Sequence, residues 1–123
     1  MGYNIWQTEA DFKITAEQVP LALAVVVALK KRYRCDDSSL YSAMGSRGWP
    51  IQIDASDNVT GITFEGEKSS SGDDELFNAI APYVTPGSYI DMCGEDGRHW
   101  RMRFRDGLMV EYQGTVVYNE DVP

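Results

Sequence analysis

His99 is the single histidine of the chain, and with the two cysteines, Cys35 and Cys93, it completes the set of residues suited to nucleophilic or metal chemistry. A Cys93–His99 pair could act as a nucleophile and its base, and the strand register argued below sets the two side by side. No third group orients the imidazole and no glycine-rich oxyanion motif accompanies it, so the pair reads as an inactive surface contact. Zinc held by Cys35, Cys93 and His99 lacks every standard ligand spacing. Gly94-Glu95-Asp96-Gly97 lacks the ligand periodicity and distal glutamate of a calcium loop, and reads as a hairpin turn. No catalytic residue, metal or cofactor is expected.

Two charged groupings could instead bind. Arg98, Arg101, Arg103 and Arg105 form a cationic stripe that could grip an anionic ligand, with Arg101, Arg103, Tyr89 and Trp100 as the contacts. Its plainer reading is a solvated sheet face, with Arg101 matched by Asp91 and Glu111 and the stem of Arg103 covered by Tyr89 and Met109. The second grouping is acidic: Asp73, Asp74 and Glu75, with Glu65 and Glu67 a short loop away. The sequence contains no phosphate-binding loop, dinucleotide fingerprint or acid pair of defensible separation, which favours a binding or inhibitory protein over an enzyme.

The 123 residues suffice for one domain with a core that needs neither disulfide nor metal. A hydrophobic fraction of 43% excludes a disordered chain. The longest apolar run, from Val19 to Leu29, is too short to span a bilayer. The start MGYNIWQTEAD has neither a signal core nor, with Trp6 at the decisive position, the myristoylation pattern, so a cytosolic protein is expected. A net charge of −8 opposes direct binding to nucleic acid. It serves solubility, or it fits the protein to a partner with a basic surface.

The elements that would position these groups centre on Gly87 to Tyr118, which reads as three alternating antiparallel strands. Glu95-Asp96-Gly97 and Arg105-Asp106-Gly107 each suit a three-residue loop ending in a glycine bulge. That register pairs Met92 with Trp100 and Ile90 with Met102. It continues with Trp100 against Tyr112, Met102 against Val110 and Phe104 against Leu108, putting all apolar side chains on one face. A two-residue second loop would set Met102 opposite Glu111 and mix the faces.

Upstream, residues 3–14 read as one or two short strands with Tyr3, Ile5, Phe12 and Ile14 inward. Thr15 to Gln18 matches a capping box for a long apolar helix expected to lie buried across the sheet. Lys30, Lys31, Arg32 and Arg34 suit its C-terminal end. Asp36, Asp37, Ser38 and Ser39 supply caps for a short second helix through about Met44, Pro50–Asp54 and Val59–Glu65 form a hairpin, and Asp73 opens a third helix interrupted by Pro82. The tail after Tyr118 is polar and expected to fray.

The run GSYIDMCGEDGRHWRMRFRDG resembles the C-terminal part of small bacterial and phage proteins without established activity, in which it takes the form G-S-Y-I-x-M-x-G-E-D-G-x-x-W-R before a strand and an F-x-x-G turn. Gly87, Ser88, Tyr89, Ile90, Met92, Gly94, Glu95, Asp96, Gly97, Trp100 and Arg101 match it, as does the preceding LFNAIAPYV. The likeness covers roughly the last 45 residues. It implies a small α+β domain and a phage or mobile-element context, with no site residue to transfer.

The expectation is a single α+β domain: one antiparallel sheet of about five or six strands carrying the long apolar helix and two shorter ones. In function it is a non-enzymatic acidic inhibitor, of the anti-CRISPR-like kind, that covers a partner's basic groove through Asp73, Asp74, Glu75, Glu65 and Glu67. The alternatives are an immunity protein against a basic toxin and a small anionic-ligand binder using the arginine stripe.

Overall fold

Alternating residues build the main sheet of the computed structural model, which describes residues 3–29, 36–67 and 72–114. Its strands are β1 (Ile5–Asp11), β4 (Tyr89–Gly94), β5 (His99–Arg105) and β6 (Leu108–Gly114), antiparallel in the order β1-β4-β5-β6. A separate hairpin of β2 (Ile51–Ile53) and β3 (Val59–Ile62) stands apart. The α+β class is as expected, but the strands divide into sheets of four and two instead of one sheet. Among the described residues they are linked by a bridge from Ile14 to Val59, by the Gln7 side chain, which donates to the Ile62 carbonyl and accepts from the Phe64 N–H, and by the Ile5 N–H, which donates to the Glu67 carbonyl beyond β3.

The first hairpin of the meander has the expected register, with Met92 opposite Trp100 and Ile90 opposite Met102. Gly97, at φ 85°, takes the left-handed position that closes the three-residue loop. The second hairpin differs. Asp106 and Gly107 both have positive φ, 54° and 74°, the signature of a two-residue type I′ turn flanked by Arg105 and Leu108. Turn chemistry prevails over the apolar alternation here, because β6 is an edge strand with few packing partners to enforce its register. Every residue of β6 moves by one: Met102 faces Glu111, Phe104 faces Met109, and Leu108, Val110 and Tyr112 turn to the outer face.

The helices also depart from expectation. The first helix, α1, spans only Val19–Val27, and no side chain caps it. Thr15 contributes through its carbonyl, which accepts from Gln18 and Val19, so the capping box does not form. The late start leaves Pro20 in the first turn, where no donor is missed. This helix is not buried across the sheet. It packs mainly on α2 (Leu40–Ser46) and α3 (Asp73–Ile80), burying Ala22 and Val26 while Leu21 stays 50% and Val27 45% exposed. The cations expected after it, and Cys35, lie outside the described residues.

Ser39 caps α2 as expected, accepting from the Ser42 N–H at 3.1 Å. Gly48, at φ 85°, ends it: the Trp49 N–H reaches the Met44 carbonyl and the Gly48 N–H that of Gly45, the paired bonds of a Schellman motif. That turn delivers Trp49 into the core. Arg47 joins α2 to its surroundings through Asp37 at 2.9 Å and the carbonyls of Ala43 and Val26.

It is α3, continued by a 3-10 turn at Ala81–Tyr83, that meets the sheet, through Leu76, Phe77 and Ile80. The ring of Phe77 lies 6.0 Å from Phe104 of β5 and 4.8 Å from Trp49. Phe104 in turn meets Phe12 at 5.5 Å, and Trp49 meets Phe64 at 4.7 Å. Phe77 is fully buried in this chain of rings. Phe77→Ala is expected to cost about 3–5 kcal/mol of unfolding free energy, read as a lowered urea midpoint. A loss below about 1 kcal/mol would show that the rings do not act as one core.

Candidate functional site

The two faces of the four-stranded sheet divide the chemistry. Inward go Ile90, Met92, Met102 and Phe104, all buried. Outward on β5 go His99, Arg101, Arg103 and Arg105, with Tyr89, Asp91 and Cys93 opposite them on β4. Trp6, Glu9 and Asp11 of β1 extend this face on one side, and Leu108, Val110 and Tyr112 of β6 extend it on the other. A bulge at Thr8 keeps both halves of β1 in phase with β4.

Arg101 is fully engaged. Its Nε and one terminal nitrogen donate to the two Asp91 oxygens at 2.6 and 2.9 Å, and its guanidinium lies 4.0 Å from the Tyr89 ring centre. The Asp91 carboxylate raises the Arg101 pKa further above its ordinary value. Desolvation, together with the nearby Glu9 carboxylate, raises that of Tyr89. The expected match of Arg101 with Glu111 does not form, because the shifted register places Tyr112 there and sends Glu111 to the other face.

Arg103 is different. It sits between Tyr89 and Val110, and among the described residues no carboxylate lies within salt-bridge distance of it. Its Nε is buried without a hydrogen-bond acceptor. Met109, expected to cover its stem, faces inward opposite Phe104. Arg105 leans over the Tyr112 ring at 5.6 Å. A cleft of about 430 Å³ opens on this face, lined by Thr8, His99, Arg101, Arg103, Tyr112 and Gly114 among others. Gly114, opposite His99, leaves its floor without a side chain.

The sequence-predicted ligand contacts are therefore partly assembled. Arg101, Arg103 and Tyr89 share the outer face, whereas Trp100 lies on the inner face and carries Arg98 over its ring at 5.0 Å. Arg98 thus leaves the stripe. Tyr112, Thr8 and Gly114 escaped sequence reading, although the Asp106-Gly107 pair, a strong two-residue turn signal, pointed to Tyr112 on this face. Of the five carboxylates, Glu65, Glu67, Asp74 and Glu75 are exposed and Asp73 is half-buried. Glu65 and Glu67 follow β3, and Asp73, Asp74 and Glu75 form the first turn of α3, where the helix dipole favours them.

Cys93 and His99 do face each other, with Sγ 3.8 Å from Nε2. The thiol is 6% exposed and donates to the Gly94 carbonyl, and no carboxylate orients the imidazole among the described residues. Among those residues, no group of three or more His, Cys, Asp or Glu could hold a metal, and no helix is long and apolar enough to cross a membrane.

The GEDG turn acts as a latch for the N-terminus. Tyr3 lies across Gly94 so closely that a β-carbon there would overlap its hydroxyl. That hydroxyl donates to Asp96, which also accepts from the Arg98 N–H at 3.0 Å, while Glu95 accepts from the Asn4 N–H at 2.9 Å. No family model matches the chain, and neither a curated protein nor a solved structure does.

The latch is pH-dependent. The Tyr3 hydroxyl, followed by the Arg98 N–H, holds the Asp96 carboxyl below its ordinary pKa, so its contribution is present above the unfolded carboxylate value and lost as pH falls through the folded one. Tyr3 itself is raised by that bond, so its share is present below the ordinary tyrosine value and lost as pH rises through the raised one. Tyr3→Phe is expected to lower the urea midpoint at neutral pH, with the gap to wild type closing at strongly acid and strongly alkaline pH. A gap independent of pH would exclude the hydroxyl–carboxylate bond as its source.

Proposed function

We propose that the protein is a non-catalytic binding protein whose site is the outer face of the four-stranded sheet, where a carboxylate or phosphate of its ligand pairs with Arg103. The observation that carries this reading is the buried Arg103 Nε without an acceptor, in a cleft on an otherwise acidic molecule. Arg103 lines that cleft with no carboxylate partner among the described residues, so its guanidinium can pair bidentately with an anion that enters. Arg101, pre-set by Asp91 and Tyr89, forms a rigid wall, and Tyr112 adds an aromatic edge. Arg103→Gln is expected to weaken binding of a di- or tricarboxylate, or of a phosphate ester, roughly ten- to a hundredfold in calorimetric titration. Equal affinity in wild type and variant would remove Arg103 as the anchor.

A second reading rests on the exposure of Glu65, Glu67, Asp74 and Glu75 and the net charge of −8. In it the chain is an acidic inhibitor, carried by a phage or mobile element, that covers the basic nucleic-acid groove of a defence protein, or the basic surface of a toxin. Converting Glu65, Glu67, Asp73, Asp74 and Glu75 to amides is then expected to abolish capture of a basic partner that duplex DNA competes off. Unchanged capture would rule these carboxylates out.

A further inference from the structure

The two edges of the main sheet are unlike each other. At β1 the edge is covered at one end and irregular: the Ile5 N–H donates to the Glu67 carbonyl at 2.8 Å, the Gln7 side chain is tied to β3 and the Phe64 N–H, and the Thr8 bulge breaks the strand's regularity. At β6 it is open. Arg105 and Leu108 flank a two-residue turn and so exchange main-chain hydrogen bonds, which points the N–H and C=O groups of Leu108, Val110, Tyr112 and Gly114 at β5. Those of Met109, Glu111 and Gln113 point outward, and among the described residues no main-chain partner meets them. An edge of this kind is a template for another strand.

From this edge, and resting on the arginine-face reading above, we infer that β6 receives an extended segment of another protein as a fifth strand, one that carries acidic side chains on its outer side. Charge selects the occupant. On the outer face the acids Glu9, Asp11 and Asp91 lie on the β1 and β4 side, and Arg103 and Arg105 lie next to β6 with no carboxylate partner among the described residues. Carboxylates on the added strand lean across Val110 and Tyr112 toward these guanidinium groups. On the inner face the exposed Glu111 sits at the edge and calls for a cation opposite. The occupant is therefore a segment with glutamate or aspartate at alternate positions and a lysine or arginine near the middle of the other side.

A second copy of the chain is a poorer fit. Antiparallel pairing of two β6 strands over their full length would set Glu111 opposite its own copy, and directly opposed like charges are unfavourable. The same glutamate guards the edge against indiscriminate pairing.

The test uses the full chain and a fluorescein-labelled peptide that alternates glutamate with valine, its central valine replaced by lysine. Binding is read by fluorescence anisotropy, and main-chain amide exchange by NMR. Glu111→Pro removes an outward N–H that β5 does not use, a substitution an edge strand tolerates. Affinity is expected to fall at least about tenfold in Glu111→Pro, and the amides of Met109, Glu111 and Gln113 are expected to gain protection when peptide binds the wild type. A peptide N-methylated on its β6-facing side, unchanged in charge, is expected to lose binding to the same degree, whatever the fold of the proline variant. Equal binding of the N-methylated peptide, or amides that stay unprotected, would overturn strand addition. Binding that needs Arg103 but ignores both backbone changes would leave the arginine-face reading standing alone. Binding indifferent to Arg103→Gln as well would overturn both. Dimerisation of the free protein that Glu111→Pro abolishes would assign the edge to a second copy and overturn the proposal.

Discussion

Five aromatic rings from five different segments make the contact on which the remainder of the structure depends. Phe12, after β1, meets Phe104 of β5, Phe104 meets Phe77 of α3, Phe77 meets Trp49 after α2, and Trp49 meets Phe64 after β3. Among the described residues the hydrogen bonds between the main sheet and the β2-β3 segment are few, so apolar packing built around these rings holds that hairpin and the helices to the main sheet. Such rings combine large apolar area with edge-to-face geometry, which fixes orientation as well as proximity. Because Phe104 is drawn inward, its neighbours Arg103 and Arg105 must point outward.

Sequence reading succeeded where local chemistry and long-range packing agree. The first hairpin is such a case: the three-residue loop, the Met92–Trp100 register, the Cys93–His99 pair and the Asp91–Arg101 bridge all follow from alternation bounded by a glycine turn. At the second hairpin the two signals conflict. The apolar pattern of Leu108, Val110 and Tyr112 demanded one register and Asp106-Gly107 another, and with only Met109 packed against the core the turn prevails. The first helix misled for a different reason. A run that is apolar all round gives no preferred face, so its composition cannot distinguish burial against a sheet from packing on two other helices.

The residues of the GSYIDMCGEDG run explain themselves structurally. Gly87 turns with φ 95°, buried Ser88 accepts from the Lys13 N–H, Ile90 and Met92 fill the core, and Gly94 gives way to Tyr3. Asp96 closes the latch and Gly97 the loop. This stretch is thus a folding unit that ties the N-terminus to the meander, and the groups suited to binding lie mostly beyond it, on β5 and β6.

Arg103 and Arg105, with no carboxylate partner among the described residues, sit on a body of opposite sign, and this would shape the kinetics of the proposed encounter. At distances beyond a Debye length, roughly 10 Å in 0.1 M salt, an approaching anion meets a molecule of net charge −8 and is repelled. Only at close range do Arg103 and Arg105 outweigh that field. For the proposed anion complex, added salt would remove the distant repulsion before it weakened the near attraction, so arrival would quicken while the complex loosened. An anion binder arranged this way would select by contact instead of by long-range steering.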